Sequence, residues 1–64
     1  KGRGSRAEFR QFLVIARGSI EETRYLLLLS RDLGFMTVET YTDLEHRYTE
    51  VSKMTNALLR SLKP

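Results

Sequence analysis

Cysteine is absent, so neither a disulfide nor a thiolate metal site is available. His46 is the sole histidine, which removes the multi-histidine metal sites as well. Apolar runs such as Tyr25 to Leu29 fall far below the roughly 18 residues that a membrane span requires. The basic start Lys1-Gly2-Arg3-Gly4 is not followed by the apolar region of a signal peptide. Those glycines also lack the preceding strand and the terminal Lys-Ser/Thr of a phosphate loop. Together these absences point to a soluble, cytoplasmic protein without a metal or other cofactor, since an absence of thiols suits a reducing compartment.

With 64 residues the chain holds at most one domain. A chain this short buries only about 60% of its unfolded surface. Disulfides and metals being excluded, the remaining sources of stability are oligomerisation or membership of a larger domain. The net charge of +3 is unevenly placed: residues 1–34 carry seven Lys/Arg against four Asp/Glu, and residues 35–64 carry four of each. A basic bias of this kind favours an anionic partner such as nucleic acid.

The pattern that is present is helical throughout. Ser5-Arg6-Ala7-Glu8 reads as a capping box, with a helix from about 6 to 33. Phe9, Leu13, Ala16, Ile20, Thr23, Leu27 and Ser30 form its seam, spaced four-three-four-three. Phe12, Ser19, Leu26 and Leu33 form a second series beside it. Gly34 supplies the left-handed residue that ends a helix, and Phe35 and Met36 are expected to fold back over the end. After a turn at 34–37, Thr37 caps a second helix from about 38 to 62, with Glu39 in its first turn. Its expected seam is Tyr41, Leu44, Tyr48, Val51, Thr55, Leu58 and Leu62, with Met54 and Leu59 beside it and Pro64 beyond the end. So short a connection makes the pair antiparallel. The fold class is therefore all-α: an antiparallel helical hairpin. Four consecutive leucines, Leu26 to Leu29, point nearly all round a helix, so at least one faces away from the hairpin partner. Further helices are expected, from the same polypeptide or from other copies.

Catalytic chemistry finds little support. His46 stands alone between Glu45 and Arg47, with no nucleophile and no orienting partner. The carboxylates Glu21, Glu22, Glu39, Asp43, Glu45 and Glu50 show no Glu-x-x-His pattern of the di-metal bundles. Gly18 and Ser19, mid-helix beside Ala16 and Thr23, read as a place of close helix approach or as room for a ligand or a neighbouring subunit.

The sharpest pattern is an arginine every seven residues: Arg3, Arg10, Arg17, Arg24 and Arg31, with Arg6 added at the N-terminal end. Seven residues are nearly two helical turns, so these side chains share one ridge. Evenly spaced guanidinium groups can follow a phosphate backbone, each offering paired donors to phosphate oxygens. They can equally form ion pairs at the edge of a bundle, and Glu21 lies within reach of both Arg17 and Arg24. Aromatic residues are not interleaved with the ridge as in single-strand binders, Tyr25 excepted. Membrane-surface binding is not expected, because the bundle needs the apolar faces.

Several runs are familiar: Ser5-Arg6-Ala7-Glu8-Phe9, Phe12-Leu13-Val14-Ile15-Ala16-Arg17-Gly18-Ser19, Asp32-Leu33-Gly34-Phe35, and Met54-Thr55-Asn56-Ala57-Leu58-Leu59-Arg60-Ser61-Leu62. They resemble the bacterial four-helix-bundle family encoded in intervening sequences of 23S ribosomal RNA genes. The accessory protein of diversity-generating retroelements is a relative. Thr23-Arg24-Tyr25 and the polar, tyrosine-bearing second helix depart from the family pattern. The resemblance implies that this hairpin is the C-terminal half of an up-down four-helix bundle. It further implies a homo-oligomer, typically a pentamer, without enzyme activity. It implies contact with RNA through basic surfaces, for which Arg6, Arg10, Arg17 and Arg24 are candidates; a protein partner is the alternative. On this reading the isolated 64-residue chain does not fold alone. A far-UV circular dichroism melt should be broad or concentration-dependent, and a cooperative, concentration-independent melt would refute this.

Overall fold

The computed structural model describes residues 5–63, and Arg3 and Pro64 lie outside them. The chain is all-α and forms the expected hairpin: α1 spans Arg6–Asp32 and α2 spans Val38–Ser61. Each helix begins where a hydroxyl replaces a missing backbone partner. Ser5 Oγ accepts from the Glu8 N–H at 3.1 Å, and Thr37 Oγ1 accepts from the Thr40 N–H at 3.1 Å. Glu8, Glu39, Arg31 and Arg60 lie in the helix turns where their charges oppose the backbone dipole.

The end of α1 is closed by two backbone bonds, Gly34 N–H to Arg31 C=O at 3.0 Å and Phe35 N–H to Ser30 C=O at 2.9 Å. This is the Schellman arrangement, and it requires a left-handed residue between its two bonds. Gly34 fills that position with φ 83°. Met36 is half-buried, but Phe35 does not fold back over the helix end as the sequence suggested. It is 80% exposed, because its neighbour across the closure is Ser30, which offers no apolar surface.

The shared seam of the hairpin is thin. Leu13 and Leu59, at 6% and 4% exposure, are its only buried apolar side chains among the described residues, and Ser52 and Thr55 are buried with them. Thr55 donates its hydroxyl to Val51 C=O at 2.9 Å within its own helix, leaving its methyl group for the seam. On α1, Leu13, Ala16, Ile20, Thr23, Leu27 and Ser30 all turn inward to some degree, while Phe9 is largely exposed. On α2 the inward line is Tyr41, Leu44, Tyr48, Ser52, Thr55, Leu59 and Leu62. Val51 and Leu58, expected in the seam, are exposed. From Tyr48 onward the step of four to Ser52 carries the contact line past them. Ser52 holds that position by a hydrogen bond to Glu21 of α1 at 3.1 Å.

Seven of the apolar residues left outside the seam share one side. Phe12, Ile15, Leu26 and Leu33 of α1 are exposed, as are Val51, Met54 and Leu58 of α2. Followed round each helix at its ordinary period, the α1 set lies to one side of the seam. Because α2 runs the opposite way, its set comes round to that same side. Most of the exposed apolar surface thus shares one side, while Tyr25 and Leu28 are exposed along a groove with Arg24 and Glu45 on the other. In the leucine quartet Leu27 turns inward while Leu26, Leu28 and Leu29 remain exposed.

Gly18 marks no close approach within the hairpin: a Cβ built there meets nothing within 4 Å. The same holds at Gly34, where only the backbone conformation resists a side chain. Opposite effects on stability follow. Gly34→Ala should destabilise by about 1 kcal/mol through the left-handed backbone. Gly18→Ala should stabilise by up to about 1 kcal/mol through helix propensity. Urea denaturation of the two variants measures both, and a neutral Gly34→Ala would contradict the turn geometry.

Candidate nucleic-acid interface

The ridge predicted from the arginine heptad lies along the other side of the seam from the apolar residues, in the groove between α1 and α2. α2 lines that groove with polar groups at the matching offset, among them Glu45, Thr49 and Asn56. Contacts across it place each arginine individually.

Arg24 is tied most firmly. Its Nη2 and Nε donate to Glu45 Oε2 at 2.8 and 3.1 Å, and its Nη1 donates to Glu21 at 3.2 and 3.3 Å. Glu45 also accepts from Thr49 Oγ1 at 3.0 Å, and Glu21 from Ser52 Oγ at 3.1 Å. Five side chains from two helices thus form one connected network, which fixes their axial register. The Arg24–Glu21 pair was legible from local spacing; Glu45, 21 positions away, was not. Arg31 is also engaged, with Asp32 at 3.0 Å and with its guanidinium stacked 4.6 Å above the Tyr41 ring.

The N-terminal members differ. Arg17 reaches only the neutral Asn56 Oδ1, at 3.4 Å, and Arg6 donates through one nitrogen to Ser61 C=O at 3.1 Å. Arg10 is half-buried, and its Nε has no hydrogen-bond partner among the described residues. No carboxylate pairs with these three among the described residues. Arg6 and Arg10 border a groove of about 540 Å³ together with Ala7 and Leu62. The sequence reading missed α2's contribution, Asn56 and the Ser61 carbonyl, because nothing in local spacing links them to the heptad.

His46 is exposed and adjoins Tyr41, Thr42, Glu45 and Thr49 along a shallow groove. No three His, Asp or Glu side chains gather among the described residues as a metal ion would need. No helix of the described residues is long and apolar enough to cross a membrane.

The sequence of residues 1–57 matches the family described as 23S rRNA-intervening sequence protein. The chain belongs to that family. No curated protein and no solved structure matches it. The match includes the whole of α1, the turn and most of α2, so the family pattern spans both the ridge and the apolar side.

The Arg24–Glu45 pair has a pH signature. The hydrogen bond from Arg24, then that from Thr49, holds the Glu45 carboxyl below its ordinary value, against a smaller opposing effect of burial. In turn Glu45 raises Arg24 further above its usual range. A carboxyl lowered by folding stabilises the fold above its unfolded value, near pH 4. That stabilisation is lost as pH falls through the lower folded value. Wild type should therefore melt above Glu45→Gln at neutral pH, with the gap closing as pH falls below the ordinary carboxyl value, near pH 4. A gap that stayed constant through that fall would show that Glu45 acts by shape and not by charge.

Proposed function

We propose that this protein is a non-catalytic assembly module that contacts RNA. Its apolar side completes a four-helix bundle within a homo-oligomer, and its arginine side faces structured RNA. One observation carries the reading: the arginine ridge of α1 lies on one side of the seam, and Phe12, Ile15, Leu26, Leu33, Val51, Met54 and Leu58 stand exposed on the other. Apolar side chains left in water this way require a cover of other helices. That cover leaves the opposite side free, and there the arginines are spaced along a ridge of about 30 Å between Arg10 and Arg31. Membership of a family named for the 23S rRNA intervening sequence supports RNA as the anionic partner and a role in the cytoplasm.

A pure scaffold that binds a protein partner is the second reading. It is favoured by Arg24 and Arg31, whose guanidinium groups are already occupied by Glu45, Glu21, Asp32 and Tyr41. Salt separates the two readings. Phosphate contacts weaken steeply as salt rises because counterions are released on binding, whereas an apolar assembly holds or tightens.

The test measures binding of the protein to a ribosomal RNA fragment at two salt concentrations. A variant with Arg10→Gln, Arg17→Gln and Arg24→Gln is measured beside it, after light scattering shows equal assembly. The expected result is normal assembly with lower RNA affinity and a flatter salt dependence. Equal binding by both proteins, or none by either, would assign the ridge to the bundle and turn the search to protein partners.

A further inference from the structure

Folding redistributes charge in a way the linear sequence does not display. The hairpin brings the start of α1 beside the end of α2, and Arg6 marks the junction by donating to the Ser61 carbonyl at 3.1 Å. In this open half, residues 5–17 and 53–63 contain six Lys/Arg and a single carboxylate, Glu8. In the turn half, residues 18–52 contain three arginines against seven Asp/Glu. The two halves therefore have opposite sign, and the long axis of the hairpin is a charge gradient. Arg60 of α2 comes round to the arginine side of the seam at the helical period, with Lys63 just past the helix end, while Glu8 falls on the far side of α1.

We infer that RNA is held at the open end of the hairpin by a cationic cluster of Arg6, Arg10 and Arg17 from α1 with Arg60 of α2 and Lys63 just beyond it. This rests on the RNA-contact reading and narrows it to one end. Three features carry it. The α1 members pair with no carboxylate among the described residues, so no ion pair must be broken to meet a phosphate. A guanidinium has five donors, and the bonds of Arg6 and Arg17 use one nitrogen each, so both keep free donors. The turn half carries excess negative charge and repels a phosphate backbone. Arg24 then acts as a positioning residue: its bonds to Glu45 and Glu21 set the register that brings α2's cations beside those of α1. From Arg6 to Arg17 the cluster extends about 16 Å along the helix. No aromatic side chain lies among its members, so it lacks the stacking platform of a single-strand site. The ligand class is the sugar–phosphate backbone of double-helical RNA, read by shape and charge and not by base sequence.

The experiment measures binding of the full protein to a short RNA duplex and to the unpaired strand by fluorescence anisotropy across a salt series. It compares Arg10→Gln/Arg17→Gln, Arg60→Gln and Arg47→Gln. Both Arg60 and Arg47 are exposed arginines of α2: Arg60 lies in the open half, and Arg47 lies in the turn half, where it pairs with Asp43 at 3.3 Å. The duplex should bind in preference to the strand. The double variant should lose about tenfold in affinity and about two units of salt slope. Arg60→Gln should lose severalfold, and Arg47→Gln should bind as wild type. Equal losses for Arg60→Gln and Arg47→Gln would show that net charge alone matters and would overturn the cluster. Tight binding by wild type and by every variant would overturn it while leaving the RNA reading intact. No RNA binding by wild type would overturn both. A change in assembly mass on Arg10→Gln/Arg17→Gln would make the cluster a contact between subunits and not an RNA site.

Discussion

A helix in a two-helix hairpin has one partner and therefore one stripe of contact, while α1 carries apolar side chains on two. From this mismatch the rest of the molecule follows. Among the described residues, Leu13 and Leu59 alone are buried as apolar core, because no third element there covers the remainder. Phe12, at 64% exposure, and Met54, at 63%, stand in water at a free-energy cost that the hairpin by itself has no means to offset. The seam mixes large residues such as Leu13, Leu27, Leu44 and Leu59 with small and hydroxylated ones. Ser52 and Thr55 are buried between the helices beside Leu13 and Leu59, while Phe12, Ile15 and Met54 stand outside the seam.

Where apolar burial is scarce, polar contacts take on the task of alignment. Sliding α2 along α1 by one turn would separate Glu45 from Arg24 and Ser52 from Glu21 together, since the four belong to one network. Such a network contributes modest stability at partly exposed sites, but it discriminates between registers, a use for which interior ionic groups are well suited. The side chains that set alignment are consequently not the ones whose guanidinium groups lack a carboxylate partner among the described residues. This division within one heptad series separates Arg24 and Arg31 from Arg10 and Arg17, with Arg6 beside the latter pair.

Both caps, the glycine closure and the helical period of α1 were legible in the sequence, because each depends on residues within a turn or two of one another. Ser5 with Glu8, Thr37 with Thr40, and Gly34 with Arg31 are contacts of that kind. The second half of α2 was not legible. Reading Val51 and Leu58 into the seam assumed that the larger apolar residue faces the partner, whereas Ser52 takes the inward place by bonding Glu21. The exposure of Phe35 escaped for a related reason, since the closure pairs it with Ser30 and not with an apolar residue. The arginine heptad was plain in the sequence, but its division was hidden. Glu45 and Ser61 are distant along the chain from the arginines they meet, and only the folded register brings them together.

The closure at Gly34 also has a consequence for the order of events in folding. Contacts beside the turn join residues few positions apart, whereas Arg6 and Ser61 are separated by 55. Bringing distant residues together costs more chain entropy than bringing near ones together, so the hairpin zips from the turn towards the termini. The acidic half is in place early in that sequence, and the two strands of positive charge at the other end meet last. Their mutual repulsion opposes the final turns of the zipper. A polyanion laid across them would remove that opposition, making the ligand itself part of what completes the fold.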